Sequence, residues 1–386
     1  MPEFSNKTDF KNHIESNIGL KANGPASVTP LIQARAVAEV FDSFFNRAQM
    51  RVPGGSELHW KNVTSAPDFA LSGQNGDILY VAPTNPNSSD SYTYPEAVGE
   101  SSKPFKTLNA AFDQCQTNTQ IFIFGAGEDF LLNPIIPVSS LAITLFGYIG
   151  SLTINSVIAA NNEIYISGVN AYVENIRLSE PNNGRIKASS LKIKNYNIGF
   201  RGKITLDNCD IENINTDATG AVQQFVFSDC IIRKRFSLRT DNNTYSSIMT
   251  AKNTVFKGGV NSLLKGFTAI NCEFGGGLFF RIVNAGGGAA SLLLQQCIVK
   301  VPGQDFIIIG NTSSFAIEVY LIDCFVNLGT SSNPTKKIIT GTGNIDYLFQ
   351  GVVTDVAAPH AESGNALKQD ITVISTAKMN KIASTL

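Results

Sequence analysis

A six-residue pattern centred on cysteine occurs five times in the middle of this chain, and its spacing restricts the fold more than any other feature of the sequence. The copies are Leu206-Asp-Asn-Cys-Asp-Ile211, Phe227-Ser-Asp-Cys-Ile-Ile232, Ala269-Ile-Asn-Cys-Glu-Phe274, Leu294-Gln-Gln-Cys-Ile-Val299 and Leu321-Ile-Asp-Cys-Phe-Val326. A further copy, Ala251-Lys-Asn-Thr-Val-Phe256, carries Thr254 at its centre. Successive centres lie 21, 24, 18, 25 and 27 residues apart, the length of one solenoid turn and too short for a domain. Residues 173–178 and 192–197 read as earlier, less regular copies.

The pattern also sets the direction of each side chain. Ile204, Phe225, Met249, Phe267, Leu292 and Val319 stand five residues before the centres, and Ile211, Ile232, Phe256, Phe274, Val299 and Val326 two after. Apolar residues at every second position on both sides of the centre predict two short strands, each with one face inward. Between them Asn208, Asp229, Asn253, Asn271 and Asp323 precede the centres. These residue types tolerate the left-handed conformation of a tight bend, so each coil is expected to turn a corner there. Stacking the coils puts the cysteines in a column spaced by about 4.8 Å, the strand separation of a sheet. Their apolar setting predicts buried, reduced thiols, and no histidine accompanies them to make a metal site.

Composition fits a large apolar core: 43% of the 386 residues are hydrophobic and only 16% are charged. With 30 Lys and Arg against 31 Asp and Glu, charge offers no reason to expect a nucleic-acid or anionic-membrane partner. The longest apolar run, residues 78–82, is too short to span a bilayer, so membrane insertion is not expected. The first residues lack a basic stretch followed by an apolar one, which reads as a soluble protein made in a cytoplasm.

Residues 75–350 resemble the pectate-lyase-like superfamily of right-handed parallel β-helices. The likeness extends from the coils to the residues before them: Gly76-Asp-Ile-Leu-Tyr-Val81, a polar insertion at 85–91, Ser102-Lys-Pro-Phe-Lys-Thr-Leu-Asn-Ala-Ala-Phe112, then Gln120-Ile-Phe-Ile-Phe124. The resemblance implies an all-β, single-stranded β-helix over residues 76–350 whose first coil is plugged by a helix within residues 104–112. An unplugged solenoid would expose apolar stacking surface and unpaired strand edges.

The first fifty residues are of another kind. Residues 6–17 read as a short helix, and Ser27-Val-Thr-Pro30 starts a second, with a capping hydroxyl before a first-turn proline. On that second helix Ala34, Val37, Phe41, Phe44 and Ala48 recur at alternating steps of three and four, an apolar stripe suited to pairing with other helices. Val28-Thr-Pro30 and Asp42-Ser-Phe44 resemble the opening of tail and receptor-binding proteins of phages of the Bacteroidetes type. The order of parts resembles tailspikes and tail fibres too: helices at 1–50, a connector at 51–75 containing Val52-Pro-Gly-Gly-Ser56, the β-helix, and a tail at 351–386. That resemblance implies a virion component, a homotrimer, which docks to other tail proteins through its N-terminal helices and meets a host-surface glycan.

Many such β-helices cleave polysaccharide with two carboxylates about 5–9.5 Å apart. The catalytic candidates here are Asp207, Asp210, Glu212 and Asp229 on neighbouring coils, with Asp207 and Asp229 a coil step apart. Asp229 occupies the bend position that Asn fills elsewhere, which backbone geometry alone explains, and no glycosidase or lyase motif matches residue by residue. The expectation is therefore a binding protein with no cofactor and no metal; a polysaccharide depolymerase on the same fold is the alternative, and a non-viral adhesin a third reading. Candidate ligand contacts are Tyr165, Tyr245, Asp241, Arg233 and Arg235. His13, His59 and His360 fall outside the coil array and read as solvated polar residues.

Overall fold

Each cysteine-centred copy folds into a strand, a corner and a second strand, and the chain forms an all-parallel β-solenoid. The computed structural model describes residues 77–378, except for 117–118, 134–139, 156–162, 179–183, 200–201, 217–223, 235, 239–246, 263, 283–289, 312–315, 330–334, 363 and 376. The helices read at 1–50, with Ala34, Val37, Phe41, Phe44 and Ala48, the connector, His13, His59, Arg235, Asp241 and Tyr245 lie outside the described residues.

Among the described residues the strands pair into three parallel ladders. The first runs from Ile78–Val81 through Gln120–Ala126, Lys203–Asp207, Gln224–Ser228 and Ala290–Gln295 to Asn365–Val373. In it Ile204, Phe225, Met249, Phe267, Leu292 and Val319 lie in register, one above the other, and all are buried. The second ladder aligns Ile211, Ile232, Phe256, Phe274, Val299 and Val326 in the same way. Both columns are those expected from the alternation. Rings stack within them, as between Phe256 and Phe274, whose centroids are 5.3 Å apart and whose planes differ by 5°.

The corner between these ladders is built by a backbone requirement. Asn170, Ser190, Asn208, Asp229, Asn253, Asn271, Gln296 and Asp323 all have φ between 49° and 55°, the left-handed region. From Ser190 onward each of these bends sends its N–H to the carbonyl just before the bend of the next coil: Asn208 N donates to Ser228 O at 2.9 Å and Asp229 N to Lys252 O at 3.0 Å. The same carbonyl accepts a second bond from the centre side chain of its own coil, Cys230 Sγ to Ser228 O at 3.1 Å and Thr254 Oγ1 to Lys252 O at 2.9 Å. In these six copies the centre is small, buried and able to donate, which cysteine and threonine both satisfy. All five coil cysteines are buried and unbridged. The neighbouring Cys230 thiol and then burial hold Cys209 well above the ordinary thiol range.

The third ladder has no marker in the repeat. It runs from Asp129–Leu132 through Phe236–Leu238, Val260–Ser262, Leu278–Ile282 and Ile307–Asn311 to Ile339–Thr342. It also corrects the earlier copies. The corners of those coils are Asn170-Ala171 and Ser190-Leu191, so residues 175–178 and 195–197 of those copies belong to the third ladder, where Ile176 pairs with Tyr196. Alanine or leucine at the centre leaves no cysteine to mark the register.

Both ends extend the reading. In the helix Leu108–Asp113, capped by Thr107 accepting from Ala110 N at 3.2 Å, Leu108, Ala111 and Phe112 are buried in the main core. Phe105 bridges to Val81 just before it. At the other end stacking passes residue 350: Ile345–Thr354 crosses it, and Asn365–Val373 pairs in parallel with that strand. His360 is 7% exposed and not solvated as expected, because its carbonyl accepts from Ile338 N at 2.9 Å and Ala361 bridges to Ile339.

Candidate functional site: an aromatic face on the first coils

In Gln120–Ala126 the strand's period of two turns Ile121 and Ile123 inward, where both are buried, and Phe122 and Phe124 outward. Register does the rest. Phe122 lies across from Tyr80, Phe124 from Phe146, and Tyr148 from Tyr172. Phe124 and Phe146 stack with centroids 4.6 Å apart and planes 10° apart; Tyr80 stacks on Phe124 at 6.2 Å, and Tyr148 on Tyr172 at 5.8 Å. Phe122 is closed in among these rings, whereas Phe124, Tyr148 and Tyr172 remain 40%, 41% and 39% exposed. A single exposed aromatic needs no explanation, whereas a stacked row of them is a candidate contact surface.

Between Phe146 and Tyr148 the corner is made by Gly147, at φ 79°, rather than by Asn or Asp. A Cβ there would come within 2.7 Å of Gly125 O, so close backbone approach requires glycine at this step. The aromatic columns are thus separated by bare backbone. Beside Tyr80 and Phe124 opens a cleft of ≈440 Å³, lined also by Thr84, Asn85, Pro86, Ser101 and Pro104. Its loop is fixed by local bonds: Asn85 N donates to Ala82 O and Ser89 N to Pro104 O, both at 3.0 Å, and Asn85 Oδ1 accepts from Asn87 N at 2.9 Å. Burial, then the Glu100 carboxylate, raises the pKa of Tyr80, so its phenol is neutral at physiological pH.

Of the four carboxylates considered for catalysis, Asp210, Glu212 and Asp229 are engaged in structure. Asp207 lies across from Ser228, not from Asp229. Asp229 accepts from Asn253 Nδ2 at 2.9 Å and Ser228 Oγ at 2.7 Å, and those bonds hold its carboxyl below the usual range. Asp210 takes a two-pronged bond from Arg233, at 2.6 Å from Nε and 2.5 Å from Nη2. Lys234, 2.7 Å from Glu212, holds that carboxyl low as well, whereas an acid catalyst needs a raised one. Tyr165 donates its hydroxyl to Glu163, and Lys187 Nζ covers its ring at 4.9 Å, so that face is occupied from within.

The residues of the aromatic face were absent from the sequence-level candidates. A signal existed: wherever isoleucines alternate with aromatics in a strand, as in Gln120-Ile-Phe-Ile-Phe124, one set must face out. Among the described residues no cluster of His, Cys, Asp or Glu could hold a metal ion, and no helix is long and apolar enough to cross a membrane.

Fold and surface together define a parallel β-solenoid with an exposed aromatic row on its first coils. No protein-family model, curated protein or solved structure matches the chain.

Proposed function

We propose that this chain is a recognition protein of the tailspike or tail-fibre kind, which holds a host-surface glycan without cleaving it. The observation that carries the reading is the stacked row of Tyr80, Phe124 and Phe146 with Tyr148 and Tyr172 beside it. A pyranose ring has an apolar C–H face that packs on an aromatic ring and a rim of hydroxyls that stays wet. A row rising along the stacked coils offers several such rings at the strand spacing of about 4.8 Å. The virion assignment, the homotrimer and the docking of residues 1–50 to other tail proteins rest on the order of parts in the sequence and on resemblance.

Purified protein incubated with host capsular or outer polysaccharide should retain the polymer while the concentration of reducing ends stays constant. Phe124→Ala with Phe146→Ala should weaken retention at least about tenfold, as loss of central aromatic anchors does elsewhere. Release of oligosaccharide that is abolished by Asp207→Asn or Asp229→Asn would establish the depolymerase instead.

A further inference from the structure

The cleft at the end of the aromatic row differs from the row itself, because it combines apolar walls with uncharged polar groups. Tyr80 and Phe124 form one side, Pro86 and Pro104 contribute apolar surface, and Thr84, Asn85 and Ser101 supply hydroxyl and amide groups. None of the residues lining it carries a formal charge. The walls are set by backbone hydrogen bonds within the loop and to residues around Phe105, including Ala82 N to Phe105 O at 3.0 Å, so the cavity is preformed. A ligand suited to it has one apolar face, several hydroxyls and no charge. A carboxylate or ammonium group would find no counter-charge among the lining groups.

We propose that this cleft receives an uncharged sugar residue at the end of a glycan whose following residues lie along Phe124 and Phe146. The inference rests on the glycan-binding reading above and adds to it a location and a chemical class: neutral hexoses or N-acetylhexosamines, not uronic or sialic acids. A ring seated between Tyr80 and the loop has aromatic surface for its C–H face, and Asn85 and Ser101 for its hydroxyls. The cleft lies beside Ile78–Val81, the first strand of the solenoid among the described residues, where the row of stacked rings begins. That position favours the end of a glycan rather than its interior.

Full-length protein should be measured against an immobilised panel of oligosaccharides ending in glucose, galactose, N-acetylglucosamine, glucuronate or sialate, with decaproline as a soluble competitor. The expected result is binding to neutral termini, an at least about tenfold loss on Thr84→Trp and on Ser101→Trp, which fill the cleft from two sides, and no competition by decaproline. Circular dichroism of each variant verifies that the solenoid is intact. If both tryptophan variants bind the neutral glycans as the parent does while Phe124→Ala with Phe146→Ala does not, the platform stands and the end pocket is overturned. Preference for acid-ended glycans, or displacement by decaproline, overturns it too. A parent protein that binds no member of the panel removes the glycan reading and this inference together.

Discussion

His360 is the residue at which local sequence and tertiary environment disagree most. It lies between polar and small residues near the C-terminus, yet the turn after Ile345–Thr354 folds it against Ile338 and Ile339. Burial, then the nearby Lys337, lowers its pKa from the ordinary 6.5, and its Nδ1 has no hydrogen-bond partner. The folded state therefore resists protonation while the unfolded chain accepts it. Stability is fully present above about pH 6.5 and is lost as the pH falls from there through the depressed folded value. Denaturant midpoints measured from pH 7.5 to 5 should decline for the parent and stay level over the same span for His360→Gln. Carboxylates such as Glu212, held low by Lys234, act in a separate window, where stability is lost as the pH falls from the ordinary 4.5 downward. A parallel decline in both proteins between pH 7.5 and 5 would mean that His360 is not the titrating group.

The defining element of this solenoid is its first corner, where residue type is chosen by backbone conformation. At Asn253 the bend has φ 49°, and the amide both donates to Asp229 and accepts from Asn271 Nδ2 at 2.8 Å, part of a row of side chains linked between coils. The left-handed conformation costs an ordinary L-residue about 1–2 kcal/mol, which Asn lessens and Gly avoids. Asn253→Ala should lose roughly that amount in urea unfolding, whereas Asn253→Gly should lose less despite removing the same amide. Equal losses would assign the stability to the side-chain row instead of the backbone. The corner was legible in the sequence because it depends on two neighbouring residues only. Asn208, Asp229, Asn253, Asn271 and Asp323 could be placed there without knowing what lay above or below them, although Ser190 and Gln296 adopt the same bend. The third ladder was not legible, since the connection leading to it differs from coil to coil. Phe236 follows Cys230 closely, whereas Ile307 stands well beyond Cys297 and Ile339 further still beyond Cys324.

At the scale of the whole molecule the two ends of the described solenoid are treated differently. The helix Leu108–Asp113 buries its apolar face in the core near the first strands. The last described strand, Asn365–Val373, pairs with Ile345–Thr354 and is exposed along most of its length. An open strand edge is a template for association, and charged residues such as Lys368 and Asp370 oppose it. Lys368→Val should raise light scattering of the concentrated protein with little change in its unfolding midpoint, while Lys368→Glu, which keeps a charge, should not. Scattering that does not rise in the valine variant would show that something else shields this edge. The sequence by itself determined the coil, the inward columns of two ladders and the bend between them. Each follows from local rules: a strand alternates its side chains with period two, and only certain residues accept a left-handed backbone. Only the tertiary structure decided the third ladder, the burial of His360, and the stacking of Tyr80, Phe124 and Phe146 beside a cleft, with Tyr148 on Tyr172 across the corner. These depend on how unequal connections are absorbed between coils. That sets which distant residues come into register, and neither composition nor a repeat of a few residues encodes it.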